Sequence, residues 1–144
     1  AVELIGKGRR CLRIFSPDLE HDIYDFDDVA QAVVKLVRVS RQSEVRILIR
    51  DTKPAVKRGH RLLDLSRRLP SVVDIRKFSG DAIELPPRVL LVDDTCVMIR
   101  PDDEQKDAGF ASADDRALNN ALTLTFDEKW SRSYSDFDLR GVTI

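Results

Sequence analysis

The sequence predicts an α/β domain with a mixed, largely parallel sheet flanked by helices on both faces. Three observations carry this expectation. Short β-branched and apolar runs recur along the chain, separated by segments whose apolar residues repeat at helical spacing. The early runs alternate with helices, which implies right-handed crossovers between parallel strands. Two later runs are separated only by Asp93-Asp94-Thr95, a hairpin-length turn that makes the sheet mixed.

The first strand is Cys11–Ser16, ended by the Ser16-Pro17-Asp18 turn. An acidic stretch, Asp18 to Asp28, leads into a helix over about 27–39, where Val29, Val33, Leu36 and Val37 share a face. Asp27 or Asp28 is its expected N-cap, because a carboxylate satisfies first-turn amides and suits the helix dipole. Glu44–Arg50 is the clearest strand. A helix is expected over 54–69, with Pro54 in its first turn and Pro70 as its stop. Strands are expected at Val72–Phe78, Arg88–Asp93 and Cys96–Arg100, a polar loop over 101–111, and a last helix over 113–132. That helix carries Leu118, Leu122, Phe126 and Trp130 at four-residue spacing, read as core.

One domain is expected over 1–144, with 133–144 as a loosely attached tail. The apolar fraction is 42% and the charged fraction 34%, which fits a globular domain and excludes disorder. No window approaches the roughly 18 apolar residues of a membrane span, and no targeting segment opens the chain. The location read from this is cytoplasmic, without a membrane partner. The first residue is alanine, which leaves open a chain excised from something longer. Cys11 and Cys96 lie inside apolar strands and read as core thiols. A disulfide between them requires neighbouring strands.

The net charge of −1 hides an asymmetry. Residues 41–80 hold 11 Lys/Arg against 4 Asp/Glu, whereas residues 81–144 hold 7 against 14. Such a split marks an anion-binding face, self-complementary association, or two solvated surfaces.

The segment Pro86-Pro87-Arg88-Val89-Leu90-Leu91-Val92-Asp93 has a distinctive frame. It resembles the motif of the phospholipase D superfamily, in which a histidine, a lysine two residues later and an aspartate five residues beyond that lie on one strand. Those positions are Pro86, Arg88 and Asp93 here. Further likenesses follow in order: Ile14–Pro17 in the first strand, Glu44–Arg50 with its helix, Asn119-Asn120, and the closing Phe126 and Trp130. The resemblance implies one half of a phospholipase-D-like domain, of bacterial type, with a degenerate motif. It also implies that the catalytic residues are gone. In that family the histidine attacks phosphorus, and proline offers no nucleophile, base or N–H. Arg88 would keep the ability to grip phosphate. The glycine-serine pair expected after the aspartate is replaced by Arg100 and Pro101.

The expected anion-binding residues are Arg88, His60, Asn119, Lys57 and Arg61. The wider basic region comprises Lys53, Lys57, Arg58, Arg61, Arg67, Arg68, Arg76 and Lys77. His21, among Asp18, Glu20, Asp22 and Asp25, lacks the spacing of a known metal loop. No metal, cofactor or catalytic residue is assigned. The sequence is compatible with three functions. One is an inactive phospholipase-D-like module binding phosphate, a nucleic-acid backbone or a protein. The second is a divergent phosphodiesterase or nuclease using His60 with Asp93. The third is an accessory or dimerisation domain of a larger protein such as an acetyltransferase. A lone half-domain invites homodimerisation. If the inherited cleft is used, Arg88→Ala abolishes anion binding.

Overall fold

The computed structural model describes residues 1–80, 85–100 and 109–140. Six strands form one sheet: β1 (Cys11–Ser16), β2 (Glu44–Ile49), β3 (Val73–Lys77), β4 (Arg88–Val92), β5 (Cys96–Arg100) and β6 (Phe110–Ser112). Their order across the sheet is β3-β2-β1-β4-β5-β6. The helices are α1 (Val2–Gly6), α2 (His21–Tyr24), α3 (Asp27–Val39), α4 (Lys53–Arg58), α5 (Arg61–Arg68) and α6 (Arg116–Ser131). A 3-10 turn over Phe137–Arg140 closes the described chain.

The α/β class and the mixed sheet are as expected, but the balance of pairings differs. β1 pairs β2 and β2 pairs β3 in parallel, whereas β1–β4, β4–β5 and β5–β6 are antiparallel. Helical crossovers make the first two pairs parallel. β4 follows β3 with no helix between them among the described residues and runs against β1, and the hairpin then adds β5 antiparallel.

Strand periodicity sorts the core into two layers. Leu12, Ile14, Val45, Ile47, Val73, Ile75, Leu90 and Val92 face one side, with Ile5, Val33, Leu36, Leu62 and Leu65 from the helices over them. Phe15, Leu48, Val89, Leu91 and Val97 face the other side, where α6 supplies Leu122, Phe126 and Trp130. Every residue of β4 is buried, as expected of a central strand covered on both faces. Each fully buried side chain of this size stabilises the fold by roughly 1.5–3 kcal/mol. Cys96 is buried and Cys11 partly so; β4 lies between their strands, and both are free thiols. Burial, opposed in part by Arg13, pushes the Cys11 thiol up to about 11.

Several local expectations are corrected. The helix over 54–69 is two helices, because Gly59 adopts φ +75 and His60 is extended. A side chain at Gly59 would be strained in that left-handed conformation. The N-cap of α3 is Phe26, and Asp27 and Asp28 both sit in its first turn. The polar stretch ends in an edge strand, since Phe110–Ser112 pair with Val97–Ile99; residues 101–108 of that expectation lie outside the described residues. The tail is docked as far as it is described. Tyr134 exchanges both backbone hydrogen bonds with Lys77, Arg67 donates to the carbonyls of Leu139 and Asp138, and Leu139 is buried. Residues 141–144 of the tail lie outside the described residues.

Asp93 occupies the turn between β4 and β5 at φ 51. Its carboxylate accepts the backbone N–H groups of Arg9, Arg10 and Cys11 at 2.9–3.3 Å. Those amides lead into β1, so one side chain ties the start of β1 to the end of β4. Gly8 makes the approach possible, because a Cβ there would collide with Leu36 and Val92. Asp93→Asn keeps a residue tolerant of positive φ but removes the ionised acceptor. Urea unfolding should show a loss of about 1–2 kcal/mol; an unchanged midpoint would show that the clamp contributes nothing.

Candidate functional site at the C-terminal edge of the first strand

Open α/β sheets offer their ligand crevice beyond the carboxyl ends of the strands, where the strand order reverses. Here that point lies between β1 and β4, and the protein's own side chains occupy it. After Ser16 the chain turns through Leu19, which is fully buried at φ 59, and the Ser16 hydroxyl accepts its N–H at 3.0 Å. A non-glycine residue in the left-handed region costs about 1–2 kcal/mol. The burial of Leu19 and the Ser16 contact hold it there.

Glu20, the next residue, meets two arginines. Its Oε2 lies 3.2 Å from Arg88 Nε and 3.1 Å from Arg100 Nη1. Arg88 and Arg100 are directly opposite each other on β4 and β5. Like charges in that position repel, and one carboxylate answers both. Arg88 is only 8% exposed, so its guanidinium faces inward rather than into solvent. Beneath the cluster, burial raises the Tyr24 phenol far above its ordinary range, reinforced by the Glu20 charge. Pro86 lies half-buried two residues ahead of Arg88.

A histidine pair adjoins this cluster. The His21 and His60 ring centroids are 5.0 Å apart, with the planes tilted by 51°. His21 Nε2 contacts the Gly59 carbonyl at 2.9 Å, which fixes that nitrogen as donor. His60 caps α5: its Nδ1 accepts the Leu62 N–H at 3.1 Å, and its ring is almost completely buried. Burial pushes this imidazole down to about 4, opposed by the nearby Asp25 carboxylate. Asp25 itself is pushed up by its own desolvation, but the Arg61 amide, His60 and the Arg61 guanidinium outweigh this and hold it below the usual carboxylate range. Arg61 Nη1 closes on Asp25 at 3.2 Å.

The remaining expected site residues lie elsewhere. Asn119, 1% exposed, donates from Nδ2 to the Cys96 carbonyl and accepts the Thr123 hydroxyl. Cys96 pairs with Val92 at the opposite end of the hairpin from Arg88 and Arg100, so Arg88 and Asn119 do not converge on one pocket. Asp93 shares that far end and is engaged with backbone amides, away from His60. Lys57 is exposed on α4. Among the described residues, no group of three or more His, Cys, Asp or Glu side chains is arranged to hold a metal ion. None of the described helices is long and apolar enough to cross a membrane.

The basic region divides by partner. Arg61 is held by Asp25, Arg67 by carbonyls of the docked tail, Arg76 by Asp74 at 3.0 Å, and Lys77 by Asp136 at 4.0 Å. Arg76 also lies over Trp130, 4.6 Å from the ring centre. Lys53, Lys57, Arg58 and Arg68 are exposed and form no ion pair among the described residues. Glu20 is the residue that sequence reasoning missed. It sits inside an acidic run, and no local pattern joins it to arginines so distant in the chain.

A family model described as Domain of unknown function (DUF7931) matches residues 1–142, so the chain belongs to that family. No protein of curated function matches it in sequence. Its fold is similar to that of a solved chain described as "Structure of TrmBL2, an archaeal chromatin protein, shows a novel mode of DNA binding", with a TM-score of 0.60 and 17% identity. The match covers 92% of this chain and 47% of that one, so this chain spans about half the length of its structural neighbour. At that identity the likeness is one of fold.

His60 makes the fold sensitive to pH. The unfolded imidazole titrates near 6.5 and the folded one near 4. Its contribution is therefore complete above pH 6.5 and is lost as pH falls towards 4. His60→Asn keeps a side chain able to cap α5 but cannot take up the proton. Wild type should lose roughly 1–3 kcal/mol more than this variant between pH 6.5 and 4 in urea unfolding; parallel profiles would refute the assignment.

Proposed function

We propose that this member of the DUF7931 family is a phospholipase-D-like module without phosphodiesterase chemistry, and that it works by binding the phosphate backbone of nucleic acid. The observation that carries the reading is the division of cations. Arg88 and Arg100 turn inward onto Glu20, while Lys53, Lys57 and Arg58 stand on one short exposed helix with no carboxylate partner among the described residues. Exposed unpaired cations suit a polyanion, whose condensed counterions they release. Pro86 supports the non-catalytic half, since it supplies no nucleophile at the motif's first position. The separation of His60 from Asp93 removes support from the rival phosphodiesterase pair. The DNA binding attributed to the structural neighbour is consistent with a fold that can present such a surface.

Fluorescence anisotropy with a labelled duplex at 50–200 mM salt tests the proposal. Affinity should fall steeply with salt, on the order of 10³-fold across that range for six phosphate contacts and less for fewer. Lys53→Ala/Lys57→Ala/Arg58→Ala should weaken binding at least tenfold and reduce the log–log salt slope by about 3. Arg88→Ala should leave the slope unchanged. Absent binding at the lowest salt, or binding indifferent to the α4 variant, would overturn the reading. Hydrolysis of bis-p-nitrophenyl phosphate by the wild-type chain would overturn its non-catalytic half.

A further inference from the structure

α3 carries more apolar surface than its contact with the sheet uses. Val29, Val33 and Leu36 are buried against the sheet, but Val34 and Val37, one position on from Val33 and Leu36, are only partly buried. They form one wall of a groove whose opposite wall is Leu65 and Leu69 at α5, with Val72 beyond. The groove has two overlapping lobes of about 450 and 350 Å³ that share Val34, Arg38, Leu65 and Arg68.

Three cations line its rim. Lys35 and Arg38 on α3 and Arg68 on α5 are all exposed and make no ion pair among the described residues. The carboxylate at the groove, Asp27, lies at one end and already accepts the Gln31 amide at 2.7 Å. An apolar floor beneath three unanswered cations is complementary to a segment that is apolar on one side and anionic on the other. Nucleic acid fits poorly, because the floor offers no aromatic platform and no polar group for a base edge. A bilayer fits poorly too, because the apolar surface is recessed between two helices rather than presented to a plane.

We propose that the α3–α5 groove docks an acidic, amphipathic segment of a protein partner, most economically a helix. Its apolar side chains at i, i+3 or i+4 and i+7 would fill the groove, and its Asp and Glu residues would pair with Lys35, Arg38 and Arg68. The groove lies apart from the α4 cations, so this site stands or falls independently of nucleic-acid binding.

Selection of random displayed peptides on the folded wild-type chain tests the proposal. Enriched sequences should combine acidic residues with apolar residues at helical spacing. Synthesised singly, they should lose at least tenfold in affinity on Lys35→Glu/Arg38→Glu/Arg68→Glu, a set of exposed changes whose folding is checked by thermal melting. The same peptides should bind the α4 triple variant as well as they bind wild type. Enrichment of peptides without acidic character, or affinities that survive the rim reversal, would overturn the proposal. So would tighter, rim-dependent binding of phosphatidylserine vesicles than of any selected peptide.

Discussion

β4 is the strand on which the rest of the molecule depends, because it is buried along its whole length and joins the parallel half of the sheet to the antiparallel half. A strand buried on both faces has no polar side to announce its register. A one-residue slip would exchange Leu90 and Val92 with Val89 and Leu91 between two apolar layers, an exchange that burial alone opposes only weakly. Polar contacts at the two ends resolve the ambiguity. At one end Asp93 accepts three amides from the segment leading into β1. At the other, Arg88 and Arg100 meet the Glu20 carboxylate just beyond β1. β1 is thus fixed against the β4–β5 hairpin by a carboxylate at each end, and any displacement breaks both sets of contacts.

The elements that were legible in the sequence are those whose burial is periodic within the element. β1, α3 and β5 fall on the residues expected, because β-branched runs and an i, i+3, i+4 stripe reflect local geometry. What was not legible depends on distant partners. Apolar periodicity runs on from Val56 to Leu62 and Leu63 through Gly59, so the break between α4 and α5 is invisible until His60 takes up its capping role. Phe110-Ala111-Ser112 is too short to alternate recognisably, and becomes a strand only because β5 offers an edge. Tyr134 reads as tail until Lys77 exchanges hydrogen bonds with it. The site follows the same rule. Apolar patterning placed Arg88 on a strand and Asp93 where that strand meets the hairpin turn, but no local pattern could supply Glu20 or the Arg9–Cys11 amides.

Charge shows this dependence most clearly. The surplus of cations in residues 41–80 predicts a basic surface, yet much of it is spent within the fold. Arg46 and Arg13 converge on Asp127 of α6, and Arg46 and Arg76 flank the Trp130 ring. These guanidiniums cover the part of the second sheet face over β2 and β3, where their planar faces pack on aromatic carbon while their edges find carboxylates. The acidic C-terminal half thereby serves partly as internal counterion to the basic middle. The surface that remains positive is narrower than the sequence suggests: of the cations in residues 41–80, those exposed without an ion pair or side-chain hydrogen bond among the described residues are Arg41, Lys53, Lys57, Arg58 and Arg68.

An arginine pair with a partly buried carboxylate is an expensive way to fill the crevice at a strand-order reversal, because taking ions out of water costs energy before the attraction is recovered. Apolar side chains of similar volume would serve packing as well. What the ionic arrangement adds is directionality: Glu20 must arrive at one height above β4 and β5, and the left-handed turn at Leu19 sets that height. On the proposed reading, the same arrangement has a functional consequence. A carboxylate in the position where a phosphate would seek the arginines keeps the crevice electrically satisfied, and an external anion must displace a covalently tethered one to enter. A tethered carboxylate competes at high effective concentration, so polyanions are left to cations that have no such partner among the described residues. On that reading, recognition belongs on α4 rather than in the crevice beside Glu20.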